Sequence, residues 1–464
     1  MDKDLKISEH DLPKPLPFSK LVGPSFILLG LGLGSGELIL WPYLSSNYGL
    51  GIIWGAVLGI TMQFFLNMEI ERYTLATGES IFTGLRRKFG KLSSYWFLLS
   101  TFLPWIWPGI IATSAKLFTA AFGLKYNITF PIILLILIGA ILSSGSYLYK
   151  TQEKFQKSII FIGIPFVLLL TFILAKPTDW LSLGKGIFGI GEGFIFLPEG
   201  IVMATFLGAL AYAGAGGNLN LAQSYYVKEK GYGMGKYSGK ITALFSKKTE
   251  KLSLTGSLFR QSIENLKLFR LWWKRINLEH LVVFWGTGLL TMLMLSLLAY
   301  STAYKAPGIE NGINFLLRES SFISEKTTLF VGTAFVLVAA LMLFGTQFSV
   351  FASTARIMSE NLVLASPKKF SVNKLSKYFY LFLWFQILAG IVIMLLGFNE
   401  PLKLVITGAV LNAITMFFYS VMLYILNTKS LPYAIRPTTF RRAMILGGIF
   451  LYGGFSLFTL IKNL

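Results

Sequence analysis

Apolar residues run along this chain in stretches of about twenty, the length a helix needs to cross the hydrocarbon core of a bilayer. The pattern predicts eleven spans, near residues 21–45, 50–75, 95–122, 128–148, 157–176, 196–225, 278–302, 328–358, 376–398, 402–427 and 440–461. The polar connectors alternate in charge. One set is basic: the first twenty residues, Arg86–Lys91, Tyr149–Lys157, Lys228–Arg275, Ser366–Lys374 and Lys429–Arg442. The other set holds far fewer Lys and Arg. Basic connectors stay on the cytoplasmic side, so the N-terminus is expected inside and, with an odd span count, the C-terminus outside a cell membrane crossed many times. The first twenty residues are polar, so the first apolar run is expected to remain as an anchor.

Two runs are interrupted by small residues: the first by "GLGLGSGE" (Gly30–Glu37) and the sixth by "AYAGAGGNLN" (Ala211–Asn220). If the sixth run restarts a five-helix unit, the odd count inverts that unit in the membrane. Paired interruptions in two inverted halves point to a secondary transporter with its site at the midplane. The predicted fold class is therefore an all-α membrane protein of two inverted five-helix repeats plus an eleventh helix, with helices 1 and 6 broken. The organisation predicted is a tail (1–20), a first repeat (21–176), an outer connector (177–195), a second repeat (196–427) containing a cytoplasmic loop (227–277), and a last helix with the C-terminus (428–464).

Composition agrees. The 464 residues are 54% hydrophobic and 14% charged, against roughly 25% charged in soluble domains. The net charge of +21 follows the connectors and is a topology signal; no nucleic-acid-binding module accompanies it. There is no cysteine, which excludes disulfides and thiolate metal sites. The two histidines, His10 and His280, fall in polar positions flanking the spans, so no histidine metal centre is expected within the membrane. No cofactor is expected, and an enzyme is disfavoured because no close pair of buried carboxylates is visible for acid–base work.

Unwinding a membrane helix frees backbone groups, which is tolerable only beside a cavity or ligand. Half-helix ends then offer carbonyl oxygens on one side of the break and a positive dipole end on the other. Ser35 is positioned to cap the restarted first helix with Glu37 in its first turn, and Asn218 to cap the sixth. Small-residue helix packing also accounts for glycines. It does not account for Glu37, since a charged side chain inside a membrane is costly.

These residues resemble the Nramp family of proton-coupled divalent-metal transporters, which have the LeuT-type fold. The likeness rests on "GPSFILLGLGLGSGE" from Gly23, "LATGESIFTGLRRKFG" (Leu75–Gly90), "IIATSAK" (Ile110–Lys116) and "AGGNLNL" (Ala215–Leu221). On this resemblance the family's metal-binding aspartate falls at Gly34 and its asparagine at Glu37. Its sixth-helix methionine falls at Ala215 and its histidine at Gly217, while its third-helix acidic residues fall at Ser114 and Leu117. The soft ligand is absent. What remains is a hard-oxygen set for substrate: Ser35, Glu37, backbone around Gly34, Tyr212, Ala215 and Gly217, then Asn218, with Gln347 and Ser349 in span eight and Thr407, Asn412 and Thr415 in span ten. Oxygen sites suit Mg²⁺, Ca²⁺, Mn²⁺ or Na⁺ rather than softer metals, with Glu37 as the metal-ligand candidate.

Glu37, Lys116 and Arg356 are the candidates for coupling, the last two as coupling groups in their own right or as a counter-ion for Glu37; Arg356 also suits snorkelling to the interface. Glu69, Glu71 and Arg72 read as one interfacial ion-pair group, and Trp105–Pro108 as a vestibule lining or a packing cluster at a proline kink. Leu258–Ile276 reads as an amphipathic helix on the inner leaflet or capping the cytoplasmic face. The function expected is an Nramp-like secondary transporter of a cation, a divalent ion without soft-metal preference, coupled to protons. The alternatives are the same fold carrying another small solute, or a membrane sensor or scaffold. The partners expected are the transported species and the lipid bilayer, with the chain a monomer.

Overall fold

A computed structural model describes residues 8–17, 21, 23–144, 148–237, 254–309, 312–398 and 400–463. The longer helices among them group into eleven segments. They are Pro24–Tyr48, Leu50–Thr77, Lys91–Ala121, Thr129–Ser144, Gln152–Leu174, the pair Met203–Ala211 and Gln223–Lys230, Ile263–Ala303, Leu329–Ala365, Val372–Leu395, Pro401–Lys429 and Thr439–Ile461. Nine are long and apolar enough to cross a membrane. The fourth is shorter, and the sixth is the interrupted pair. The third is interrupted after Trp105, where Pro104 and Pro108 leave two backbone positions without a donor, and its helix restarts at Gly109.

Burial separates a centre from a periphery. The apolar window of the first segment is 94% buried against its neighbours, whereas that of the eleventh is 28% buried. The glycines of the first segment therefore face protein. The eighth segment packs on the third and the first, the tenth on the sixth and eleventh, and the seventh on the first and fifth.

The first segment departs from the expected break. Its backbone stays right-handed and widens to a π-helix over Leu33–Leu40, a deviation that concentrates at functional sites. Ser35 caps nothing. The sixth segment does unwind. Its helix stops at Ala211, and Gly214, Gly216 and Gly217 take φ of 138°, 76° and 52°, which side chains resist. A 3-10 turn at Gly217–Leu219 follows before the helix resumes at Gln223.

The end carrying the basic connectors is closed by a tail-and-loop layer. Ser8–His10 pairs in parallel with Ser257–Phe259, so Leu258 and Phe259 lie in a strand rather than in the expected amphipathic helix. That helix starts at Ile263, where Ser262 accepts from the Asn265 amide, and runs unbroken into the seventh segment. Trp272 donates to the Pro13 carbonyl at 2.7 Å, Arg275 to that of Leu16 at 2.6 Å, and Asn265 accepts from the Leu12 amide at 3.1 Å. The helix thus packs against the chain's own N-terminal tail. Loop residues 238–253 lie outside the described residues.

Candidate functional site

The π-helical stretch and the sixth break touch directly. A methyl on Gly36 would overlap the Tyr212 carbonyl oxygen, and one on Gly32 would reach the Gly214 backbone at 2.8 Å. Glycine is what allows two backbones this close. The eighth segment ties down the stretch: the Gly34 amide donates to Thr346 Oγ1 at 2.9 Å, and Thr346 donates to the Gly30 carbonyl at 2.9 Å. Gln63 of the second segment splints the break. Its Nε2 donates to the Ala211 carbonyl at 2.9 Å, and its Oε1 accepts from the Gly216 amide at 3.3 Å. Sequence reasoning missed Gln63, although a glutamine in an apolar span is a polar group that must find a partner.

On the tenth segment, Asn412 donates to the Tyr212 hydroxyl at 3.0 Å, and its Oδ1 occupies the space where Gly217 has no side chain. The Tyr212 ring stacks on Trp105 with centroids 5.3 Å apart, so Trp105 lies at the break. Ala215 is fully buried and offers only backbone oxygen. Asn218 does not cap the restarted helix; it donates to Ser100 Oγ at 2.9 Å and Thr101 Oγ1 at 2.8 Å on the third segment. Gln347 is buried, its Oε1 without a hydrogen-bond partner among the described residues; Ser349 accepts from Gln156 at 2.6 Å, Thr415 bonds its own helix, and Thr407 is exposed. Ser114 donates to the Ala340 carbonyl at 2.8 Å, a packing bond.

Glu37 is fully buried, and neither carboxylate oxygen has a hydrogen-bond partner among the described residues; nor does Ser35 Oγ. Its Oε1 faces Gly288 of the seventh segment, where a Cβ would lie 3.5 Å away, with Ile60 and Leu29 around the same glycine. The expected counter-ions do not reach it. Lys116 is half-buried, 3.4 Å from Asn314 Oδ1. Arg356 does not snorkel: it is buried, pairs with Glu229 at 2.8 Å and lies over the Tyr225 ring. An ionised carboxylate here carries a desolvation penalty of several kcal/mol. It is relieved by a proton or by a bound cation, and the donors at hand are oxygens. No group of three His, Asp or Glu arranged to hold a metal ion exists among the described residues.

Two expectations about charged groups are corrected. Glu69 and Arg72 form a buried ion pair at 2.7 Å, extended by Arg441 and Asn427. Glu71 is not part of it, because two helical residues apart is about 200° of rotation; it accepts from Gln223 at 2.6 Å instead. His280 is not in a polar flank. It is fully buried, stacked between Phe64 and Phe284, and its Nδ1 lies 3.5 Å from Glu71. Glu279 is buried beside it, so buried acids do cluster here.

No family model and no curated protein sequence matches the chain. Solved structures do. A single-residue mutant of a manganese transporter from Eremococcus coleocola superposes with TM-score 0.69 at 13% identity, over 99% of this chain and 90% of that one. Mhp1, a nucleobase-cation-symport-1 family transporter with bromovinylhydantoin bound, gives 0.55 at 10% identity over 100% and 95%. MhsT in complex with L-phenylalanine gives 0.50 at 13% identity over 95% and 98%. The chain is an all-α membrane protein of the fold these transporters share, the LeuT fold.

Proposed function

We propose that the chain is an Nramp-like secondary transporter that carries a divalent cation through a hard-oxygen site between the π-helical stretch and the sixth break. The observation that carries the reading is Glu37, fully buried with both oxygens unpartnered, one residue from the Gly36–Tyr212 contact. A group in that state stays neutral by binding a proton or a cation, which is the exchange a proton-coupled carrier needs. The candidate ligands, Glu37, the Tyr212 carbonyl, Ser35 and Gln347 Oε1, are all oxygens, so Mg²⁺, Ca²⁺ and Mn²⁺ are favoured over soft ions. Asn412 and Gly217 hold the break in shape, and Lys116 and Arg356 act as structural groups. A second reading, an organic solute on the same path, is favoured by the Trp105–Tyr212 stack.

The test is uptake by purified protein in liposomes against a panel of divalent metals and small organic solutes, with internal pH recorded. Saturable Mg²⁺ or Mn²⁺ uptake with proton movement is the expected result. Uptake of an organic solute alone replaces the cation, and no flux of any kind sinks the transporter reading.

A further inference from the structure

The seventh segment helps to build a second buried polar cluster that the cation site does not use. Ser25 of the first segment, Glu71 of the second, Gln223 after the break, and Glu279 and His280 of the seventh meet there, each at most 1% exposed. Ser25 Oγ donates to Glu279 Oε2 at 2.6 Å and lies 2.8 Å from His280 Nδ1. That nitrogen is 3.5 Å from Glu71 Oε1, which accepts from Gln223. Glu279, Ser25, His280 and Glu71 thus form one continuous path between two acids. Glu71 Oε2, Glu279 Oε1 and His280 Nε2 have no hydrogen-bond partner among the described residues.

Charge decides what the cluster holds. Among the described residues neither acid pairs with a lysine or arginine. Lys157 and Lys230 face Glu279 from other elements, and both are engaged with Glu153 at 2.8 and 3.0 Å. Arg72 lies on the other face of the second segment, on Glu69. Two ionised carboxylates beside a neutral imidazole would bury two uncompensated charges, at several kcal/mol each. The cluster therefore binds at least one proton, and its contacting groups titrate as a unit. The aromatic faces on His280, at 5.7 Å from Phe64 and 4.7 Å from Phe284, accept an imidazolium as well as an imidazole.

The same helix links the cluster to the cation site. Phe284 follows His280 by four residues and packs on the break, where a methyl on Gly214 would meet its ring at 2.9 Å. Gly288, four residues further, is the glycine that Glu37 faces. His280, Phe284 and Gly288 thus present one face to the proton cluster, the break and the carboxylate in turn. The turn between them, Leu281–Gly286, is π-helical.

We infer that Glu71, Glu279 and His280 form a proton-binding site, distinct from Glu37, whose loading is coupled to the sixth break through Phe284. The coupling rests on the reading of the chain as a transporter; the proton site itself does not. In the transfer step Glu279 is protonated and the Ser25 hydroxyl has turned from Glu279 Oε2 to His280 Nδ1; the Glu279 carboxyl then gives its proton to Ser25 Oγ while the Ser25 hydroxyl proton passes to His280 Nδ1. The products are a carboxylate and an imidazolium, with Glu71 as the counter-ion. Only protons move.

Two readouts on the full-length purified protein test this. Infrared difference spectra between acid and alkaline pH are expected to show a buried carboxylic-acid band that is lost or shifted in Glu71→Gln and in Glu279→Gln. In liposomes loaded with a pH dye, and with Mg²⁺ as the probe, both variants and His280→Gln are expected to lose proton flux while retaining Mg²⁺ binding. Ser25→Ala keeps both acids, so it keeps the band and loses flux. An unchanged ratio of proton flux to Mg²⁺ uptake in all four variants overturns the coupling. If wild-type protein moves no Mg²⁺, the cargo reading fails while the infrared band still decides: its loss in both glutamine variants supports the proton site, and its absence from wild type overturns it.

Discussion

Gly217→Ala isolates what holds the sixth break open. Gly217 has φ 52°, and a methyl there would coincide with Asn412 Oδ1. The left-handed backbone costs a non-glycine residue about 1–2 kcal/mol. Overpacking against Asn412 adds about 1–3 kcal/mol, and displacing Asn412 from Tyr212 forfeits roughly 1 kcal/mol of hydrogen bonding. The single variant should therefore lose roughly 3–6 kcal/mol in all. Asn412→Ala alone should lose about 1–3 kcal/mol, as the buried Tyr212 hydroxyl is left unpaired. In the double variant the clash disappears, while the backbone strain and the unpaired Tyr212 hydroxyl persist. The pair should be less damaging than the sum of the singles by about 1–3 kcal/mol. Thermal unfolding of the four proteins in one detergent measures this, with Gly454→Ala as a control whose methyl meets nothing within 4 Å. Additive losses would refute the stated contact.

Three further outcomes are expected. Arg356→Ala strips Glu229 of a buried ion pair and should destabilise by about 3–5 kcal/mol, whereas Arg356→Met with Glu229→Leu should recover most of it; equal losses in the two would show that the pair is not the cause. Single cysteines at Lys240, which lies outside the described residues, and Asn463 should be protected from and reached by an impermeant thiol reagent in intact cells, respectively; the opposite labelling overturns the inside placement of the basic connectors. Calorimetry should find Mg²⁺ or Mn²⁺ binding no weaker than Cd²⁺ binding, because the oxygen site lacks a thioether; Cd²⁺ binding with none for Mg²⁺ would mean the site lies elsewhere.

Nine of the segments were legible because they are written as apolar runs long enough to cross a membrane, and the sixth break because its glycines adopt angles that few other residues adopt. The first segment was misread for a physical reason. Small residues serve equally to unwind a helix and to let a widened one touch a neighbouring backbone, and only the packing of Gly36 on Tyr212 distinguishes the two. Asn218 illustrates the same limit, since a side chain able to cap can also bond sideways, as it does to Ser100 and Thr101. The proton cluster was invisible because its members are far apart in sequence. His280 looked like a boundary residue because the polar stretch before it reads as loop, whereas the helix starts at Ile263 and carries it into the interior.

The central claim is that Glu37 binds what the protein carries, and Glu37→Gln in liposomes tests it most directly. The substitution keeps the shape and removes the charge, so a folded protein is expected with divalent-cation uptake abolished, while Glu37→Asp, one methylene shorter, retains part of it. A glutamate that merely packs would accept glutamine without consequence. Wild-type Mg²⁺ or Mn²⁺ uptake in Glu37→Gln, at matched amounts of folded protein, would contradict the account.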